Sequence, residues 1–262
     1  MRRNMSLSLA LGLLLAGGAA RADVWDIQSD NDNSAGTDNE LVHGTAQRHD
    51  LGTLPGPTPD QDWYRVGQKP QSSYEVIVDS TSGDIGFPLL VQRMAPGGTT
   101  VLQDSVSISP GLDYSRSLRW ENTTPNTVNG EYIRVISGSC TTNCGPDDVY
   151  DIRFRETTIA VPRFNNQGGQ VTVLIIQNAG STSATGTMWF RNTAGMGVAA
   201  SSVGTIAAGG ALVLNTAGLA PGLSGTITIS HNARYGDLAV KSVALEPATG
   251  FSFDTPGLYR PF

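Results

Sequence analysis

A chain of 262 residues allows one large domain or two of ordinary size, and either can bury an adequate core. Only 15% of the residues are charged, and 31 glycines and 14 prolines stand among many Thr, Ser and Val, which disfavours a helical chain and suits short strands joined by turns. The apolar 39%, gathered in strand-length clusters, argues against disorder, and a formal net charge of −6 without a basic, aromatic-interleaved cluster argues against nucleic-acid binding.

Residues 1–22 read as a secretory signal peptide. Arg2 and Arg3 form its basic start, Leu7 to Ala16 its apolar core, and Ala20-Arg21-Ala22 a cleavage site before Asp23. The twin arginine hints at the twin-arginine route, but the following residues fit general secretion better. The apolar run is too short to span a bilayer, and no later segment is apolar enough for a transmembrane segment. The expected location is therefore secreted or periplasmic. Without Arg2, Arg3 and Arg21, 14 of the 17 basic residues remain against 23 acidic ones, a net charge near −9.

Residues 23 to about 50 are rich in Asp and Asn, with short strand-like stretches at Leu41 to Thr45 and His49 to Gly52. A stiff loop, Leu54-Pro55-Gly56-Pro57-Thr58-Pro59, delivers the chain to Asp60-Gln61-Asp62-Trp63-Tyr64-Arg65-Val66. Two carboxylates here enter a strand whose Trp63 and Val66 need a core. Tyr74 to Val78, Phe87 to Arg93, Thr99 to Ile108, Tyr114 to Trp120, Gly130 to Ile136 and Tyr150 to Arg155 follow as predicted strands. Strands at this spacing, about eight in some 130 residues, point to a β-sandwich. Cys140 and Cys144, separated by Thr-Thr-Asn, are expected to close a small disulfide loop in an oxidising compartment. The rival reading is a pair of metal ligands, although no His or further Cys lies nearby to complete a zinc site.

The segments Asp60 to Val66, Gly130 to Val135 and Tyr150-Asp151-Ile152-Arg153-Phe154 resemble the bacterial pre-peptidase C-terminal (PPC) domain over roughly residues 24 to 157. The resemblance implies an accessory module of a secreted protein, often beside a protease. Some members, collagen binders among them, hold calcium between an acidic linker and the D-x-D strand. Carried over residue by residue, Asp30, Asn31, Asp32 and Asn33 stand for the linker, and Asp60 and Asp62 for the strand. So many hard oxygen donors suit Ca²⁺. The Glu-rich start of the family's linker is missing, and Asp38, Asn39 and Glu40 offer rival ligands. The alternative is a solvated acidic loop in which Asp60 caps backbone amides.

A boundary is expected near residue 158, where Ala160 to Gly169 ends one core and begins another. Val171 to Ile176 reads as a central strand, and Thr187 to Arg191, Val198 to Ile206, Ala211 to Leu214, Thr226 to Ser230 and Leu238 to Leu245 supply further strands. The count is immunoglobulin-like. The segments Val161-Pro162-Arg163-Phe164, Val213-Leu214-Asn215-Thr216 and Ala244 to Pro256 resemble a small β-sandwich module at the C-terminus of many exported bacterial proteins, a likeness that implies no activity. Phe251 and Phe253 are expected to pack onto this module, and Pro256 and Pro261 disfavour a membrane strand.

Catalytic patterns are weak. His43 and His49 read as polar loop residues, and His231 as part of a strand-end turn with Asn232. No G-x-S-x-G elbow accompanies Ser230-His231. Asp147/Asp148 and Asp60/Asp62 are poorly spaced for glycoside chemistry, which needs facing carboxyl groups about 5–9 Å apart. Trp25, Trp63, Trp120 and Trp189 would form a sugar-stacking platform only if exposed.

The expected fold is all-β: a signal peptide (1–22), a PPC-like sandwich (23–157) and an immunoglobulin-like sandwich (158–262), described together as two tandem β-sandwich domains of jelly-roll or immunoglobulin-like type. The expected function is a non-enzymatic accessory or binding protein, calcium-stabilised, with an extracellular protein or polysaccharide as partner. A carbohydrate- or matrix-binding module using exposed aromatics is the first alternative. A hydrolase of unfamiliar type, with His231 or His43 converging on carboxylates in a pocket, is the second.

Overall fold

A computed structural model describes residues 32–52, 60–82, 89–108, 115–137 and 147–260. The expected signal peptide, Trp25, Asp30, Asn31 and the Cys140/Cys144 pair lie outside the described residues. Within them the chain is all-β, with eighteen strands, one 3-10 turn and no α-helix. Among the described residues, no helix is long and apolar enough to cross a membrane.

The first sandwich comprises β1 (Ala46–Asp50), β2 (Gln61–Gln68), β3 (Ser72–Ser80), β4 (Leu89–Met94), β5 (Val101–Asp104), β6 (Val106–Ser107), β7 (Ser115–Asn122), β8 (Val128–Ser137) and β9 (Val149–Glu156). One sheet runs β1-β9-β3-β7-β6 and the other β2-β8-β4-β5. Strand β9 shows the period of two that this demands: Tyr150, Ile152 and Phe154 are buried and the residues between them are half-buried. With Tyr64, Val66, Val76, Leu118 and Ile133 they form the core, where Tyr74 stacks on Phe154 at a centroid distance of 5.5 Å. The predicted strand from Thr99 to Ile108 is broken at Ser105, where the chain changes sheet. Ser105 N–H bonds Val91, so β5 stays with β4 while β6 moves to β7.

Trp63 and Val66, three positions apart, lie on opposite faces of β2. Val66 joins the inter-sheet core, whereas Trp63 is buried outside it. Trp63 packs edge-on to Tyr132 at 6.0 Å and beneath the Arg134 guanidinium at 5.2 Å. The segment 32–44 runs beside this strand and straps the two sheets together. Trp63 N–H donates to the Asp32 carbonyl (2.7 Å), Arg65 N–H to Asn39 (2.7 Å), and Gly44 N–H to Phe154 on β9 (2.9 Å). The stretch Leu41 to Thr45 therefore forms single parallel bridges, Glu40 to Arg65 and His43 to Phe154, and no independent strand.

The second sandwich comprises β10 (Ile159–Asn165), β11 (Val171–Asn178), β12 (Gly186–Asn192), β13 (Gly197–Ser202), β14 (Ala211–Asn215), β15 (Ser224–His231), β16 (Leu238–Glu246), β17 (Phe251–Pro256) and β18 (Leu258–Tyr259). Its sheets run β13-β12-β15-β10-β18 and β14-β11-β16-β17. The apolar run on β11 is internal to its sheet, and Leu174 and Ile176 meet Phe164, Met188 and Phe190 in a second core. The tail departs from expectation. Strand β17 is an edge strand, Phe251 is 61% exposed, and Phe253 is half-buried against Arg163. Pro256 ends this edge strand, where a missing N–H costs least.

The two sandwiches meet through polar groups. Thr157 and Thr158 between them are fully buried and bond Ser73, through Thr157 N–H to its carbonyl (2.8 Å) and Ser73 N–H to Thr158 Oγ1 (2.9 Å).

Candidate metal centre

The inner face of β2 carries Asp62, Tyr64 and Val66 by strand alternation, so the first of these sends its carboxylate into the end of the sandwich. At the same end, β1 stops and β9 starts, in a register that opposes His49 to Tyr150 and Asp50 to Val149. The strap brings Asp32 to the site from the third direction, through its carbonyl bond to Trp63 N–H.

Asp32, His49 and Asp62 converge there. Their ligand atoms all lie within 4.8 Å of one another, and the three residues are 0%, 1% and 1% exposed. His49 Nδ1 stands 3.6 Å from Asp32 Oδ2, and His49 Nε2 stands 3.1 Å from Gln47 Oε1. The ring is held by Tyr64, edge-on at 5.0 Å, and by Tyr150, stacked at 5.8 Å. Tyr150 donates its hydroxyl to Asp62 Oδ2 and meets the Tyr64 hydroxyl. Complete burial, and then the Asp62 carboxylate beside it, hold the Tyr150 phenol well above its ordinary value, so it remains a donor at neutral pH.

This placement revises part of the expected ligand set. Of the expected set, Asp32 and Asp62 lie together in this group. Asp60 stays outside the group and accepts the Gln61 N–H at 2.9 Å, the capping role. Asn33 is half-buried and Asn39 buried on the same strap, and the carboxylates of Asp38 and Glu40, both exposed, lie outside the group. His49, read from the sequence as a loop residue, is a buried member of β1. The signal available for it was its place one residue before the end of a short strand, beside Asp50. Asp50 and Asp148 are buried nearby: Asp50 Oδ1 accepts Gly52 N–H (2.8 Å) and the Asp148 carbonyl accepts Leu51 N–H (3.0 Å).

The donor set is the test of a bound cation. Two buried carboxyl groups and one imidazole this close together are a donor set that can hold a divalent ion. Ca²⁺ prefers six to eight oxygens, so beside these two carboxylates it would draw on backbone carbonyls, side-chain amides or water.

The other histidines are committed to structure. His43 Nδ1 accepts the Glu156 N–H at 2.8 Å, and burial holds its pKa below the ordinary value. His231 ends β15 at 1% exposure, and burial lowers its pKa to about 4. Its neighbour Ser230 is fully buried, donating to Glu121 Oε2 at 2.6 Å and accepting from Trp189 Nε1 at 3.2 Å. Ser230-His231 therefore presents no accessible nucleophile. Trp63 and Trp120 are buried and Trp189 half-buried, so these three form no exposed stacking platform. The chain matches no protein-family model and no curated protein sequence.

Proposed function

We propose that this chain is an exported, non-catalytic accessory protein whose first sandwich is braced by a divalent cation between Asp32, His49 and Asp62. The observation that carries the reading is the burial of these three donors at the point where strap, β1 and β2 meet. A cation there would tie the strap to both sheets, because Asp32 belongs to the strap, His49 to one sheet and Asp62 to the other. Calcium is the ion that the PPC resemblance implies. The bracing role also suits a spacer or binding module that presents its surface to an extracellular protein or polysaccharide.

The test is thermal unfolding of the mature chain, residues 23–262, with divalent cation and then with excess chelator. A ligand that binds only the folded state raises the melting temperature by mass action. A rise that chelator reverses, and that Asp62→Asn abolishes, is the expected result. No rise with any divalent cation would remove the brace and leave the acidic strap as a simple hydrogen-bonded segment.

A further inference from the structure

We infer that the ion is a first-row transition cation of the Zn²⁺ type, bound through His49 Nδ1 and one oxygen each of Asp32 and Asp62. The inference rests on the bracing reading and specifies its ion.

Three observations carry it. The first is donor chemistry: an imidazole nitrogen is a good ligand for Zn²⁺ and its neighbours and a poor one for Ca²⁺, which takes oxygen. The second is the orientation of the ring. His49 Nδ1 faces Asp32 at 3.6 Å, while Nε2 faces the Gln47 side-chain carbonyl at 3.1 Å. A proton on Nε2, donated to Gln47, leaves the Nδ1 lone pair directed at the two carboxylates, the arrangement in which a second residue fixes a metal-binding tautomer. Tyr150 does the same for Asp62, whose Oδ2 accepts its hydroxyl.

The third observation is burial. The imidazole and both carboxyl groups are at most 1% exposed, so an ion held between them would be shielded from competition by bulk water. Asp50, Asp60 and Asp148, at 7%, 6% and 1% exposure, crowd the same end of the sandwich. Three protein ligands also leave coordination positions for water, as a small tetrahedral or five-coordinate ion requires.

The experiment uses the mature chain, stripped with chelator and dialysed. Thermal unfolding is followed with Zn²⁺, Mn²⁺ and Ca²⁺ in turn, and Co²⁺ is titrated with visible absorption as readout. The expected result is a melting-temperature rise with Zn²⁺ that exceeds any Ca²⁺ effect, together with Co²⁺ absorption saturating at one equivalent. His49→Gln should lose both responses, and Gln47→Ala should weaken Zn²⁺ binding at least several-fold. A rise with Ca²⁺ but not Zn²⁺, retained in His49→Gln, would overturn the nitrogen ligand and leave the cation brace standing. Silence with every ion would overturn both. If His49→Gln fails to fold, the Co²⁺ spectrum of the unmutated chain decides: without saturable d–d bands the inference fails.

Discussion

Ser230 Oγ, on the second sandwich, donates a 2.6 Å hydrogen bond to Glu121 Oε2 on the first. Glu75 is reached in the same way, its Oε2 accepting Tyr235 N–H at 2.9 Å. Burial raises the pKa of both glutamates, Glu75 being fully buried and Glu121 partly so. Such groups tolerate burial only while their partners stay in place. Ser230→Ala removes one partner and should destabilise the chain by about 1–3 kcal/mol, read by chemical denaturation. Glu121→Gln keeps an acceptor for the hydroxyl and should cost clearly less. Equal losses in the two variants would mean that the hydrogen bond contributes nothing to the seam.

Acid should loosen this seam through His231. Its pKa falls from 6.5 to about 4 because the ring is buried. Between these values the unfolded chain binds a proton that the folded chain does not, so stability declines as pH falls through that window. At about 1.36 kcal/mol per pH unit the loss approaches ~3 kcal/mol by the lower end. Glu75 and Glu121 act in the opposite sense. Their raised pKa values favour folding in acid, and that contribution is lost as pH rises through them, so they offset part of the decline. The expected result is a stability curve that falls between pH 6.5 and 4 in the native sequence and flattens in His231→Gln. A variant curve as steep as the native one would assign the acid sensitivity to other groups.

Arg260 anchors the tail to the first sandwich. It donates to Glu156, whose side chain is fully buried, and its backbone N–H bonds the Thr158 carbonyl at 2.8 Å. Lys69 Nζ lies 3.2 Å from the same carboxylate but is 42% exposed, so it compensates weakly. Arg260→Ala should therefore cost on the order of 1–3 kcal/mol, less than a fully buried pair because Arg260 itself keeps some solvent contact. Differential scanning calorimetry also reads whether the sandwiches unfold together. A single transition that splits in Arg260→Ala would identify the tail as a coupling element, and an unchanged trace would show that Glu156 is satisfied without it.

The all-β architecture and most strands were legible because they rest on local signals: β-branched alternation, Gly and Pro punctuation, and aromatic anchors such as Tyr74 and Phe154. The change of sheet at Ser105 was not legible, because it depends on a bond to Val91 that alternation does not encode. Asp32 and Asp62 could be paired from motif and composition, since both sit in acidic runs that flank a strand. His49 was missed for a physical reason: its burial comes from the register of β1 on β9, and register is a long-range property. The exposure of Phe251 was missed likewise. Aromatic residues suggest packing, but an edge strand has only one neighbour to pack against.

Gly186 and Gly197, at opposite ends of the β12–β13 pair, allow a direct test of packing in the second sandwich. A methyl at Gly186 would sit 2.2 Å from the Ser230 carbonyl oxygen, between β12 and β15, whereas one at Gly197 would meet nothing within 4 Å. Gly186→Ala should cost several kcal/mol or prevent folding, because the obstacle is backbone that cannot rotate away. Gly197→Ala should be neutral or slightly stabilising through its effect on the unfolded chain. Similar stabilities for the two variants would show that β12 and β15 separate more readily than their seven paired positions suggest.

Gly98 links the strap to the candidate metal centre without belonging to it. A Cβ at this position would lie 2.3 Å from Ala35 Cβ and 3.1 Å from the Trp63 ring, and its φ of +72° already disfavours any other residue. Ala35 is three residues from Asp32, and the Trp63 N–H holds the Asp32 carbonyl, so a displaced strap moves one ligand and leaves His49 and Asp62 in place. Gly98→Ala should lower stability in the absence of metal by about 1–3 kcal/mol, from the φ penalty and the clash together. It should also reduce the cation-induced rise in melting temperature. Gly97→Ala, with a φ of +86° but open space around it, supplies the control: it should lose basal stability yet keep the full cation response. If both variants keep the response, the contact between Gly98, Ala35 and Trp63 does not position Asp32. If both lose it, the centre depends on the loop as a whole and not on the contact between Gly98, Ala35 and Trp63.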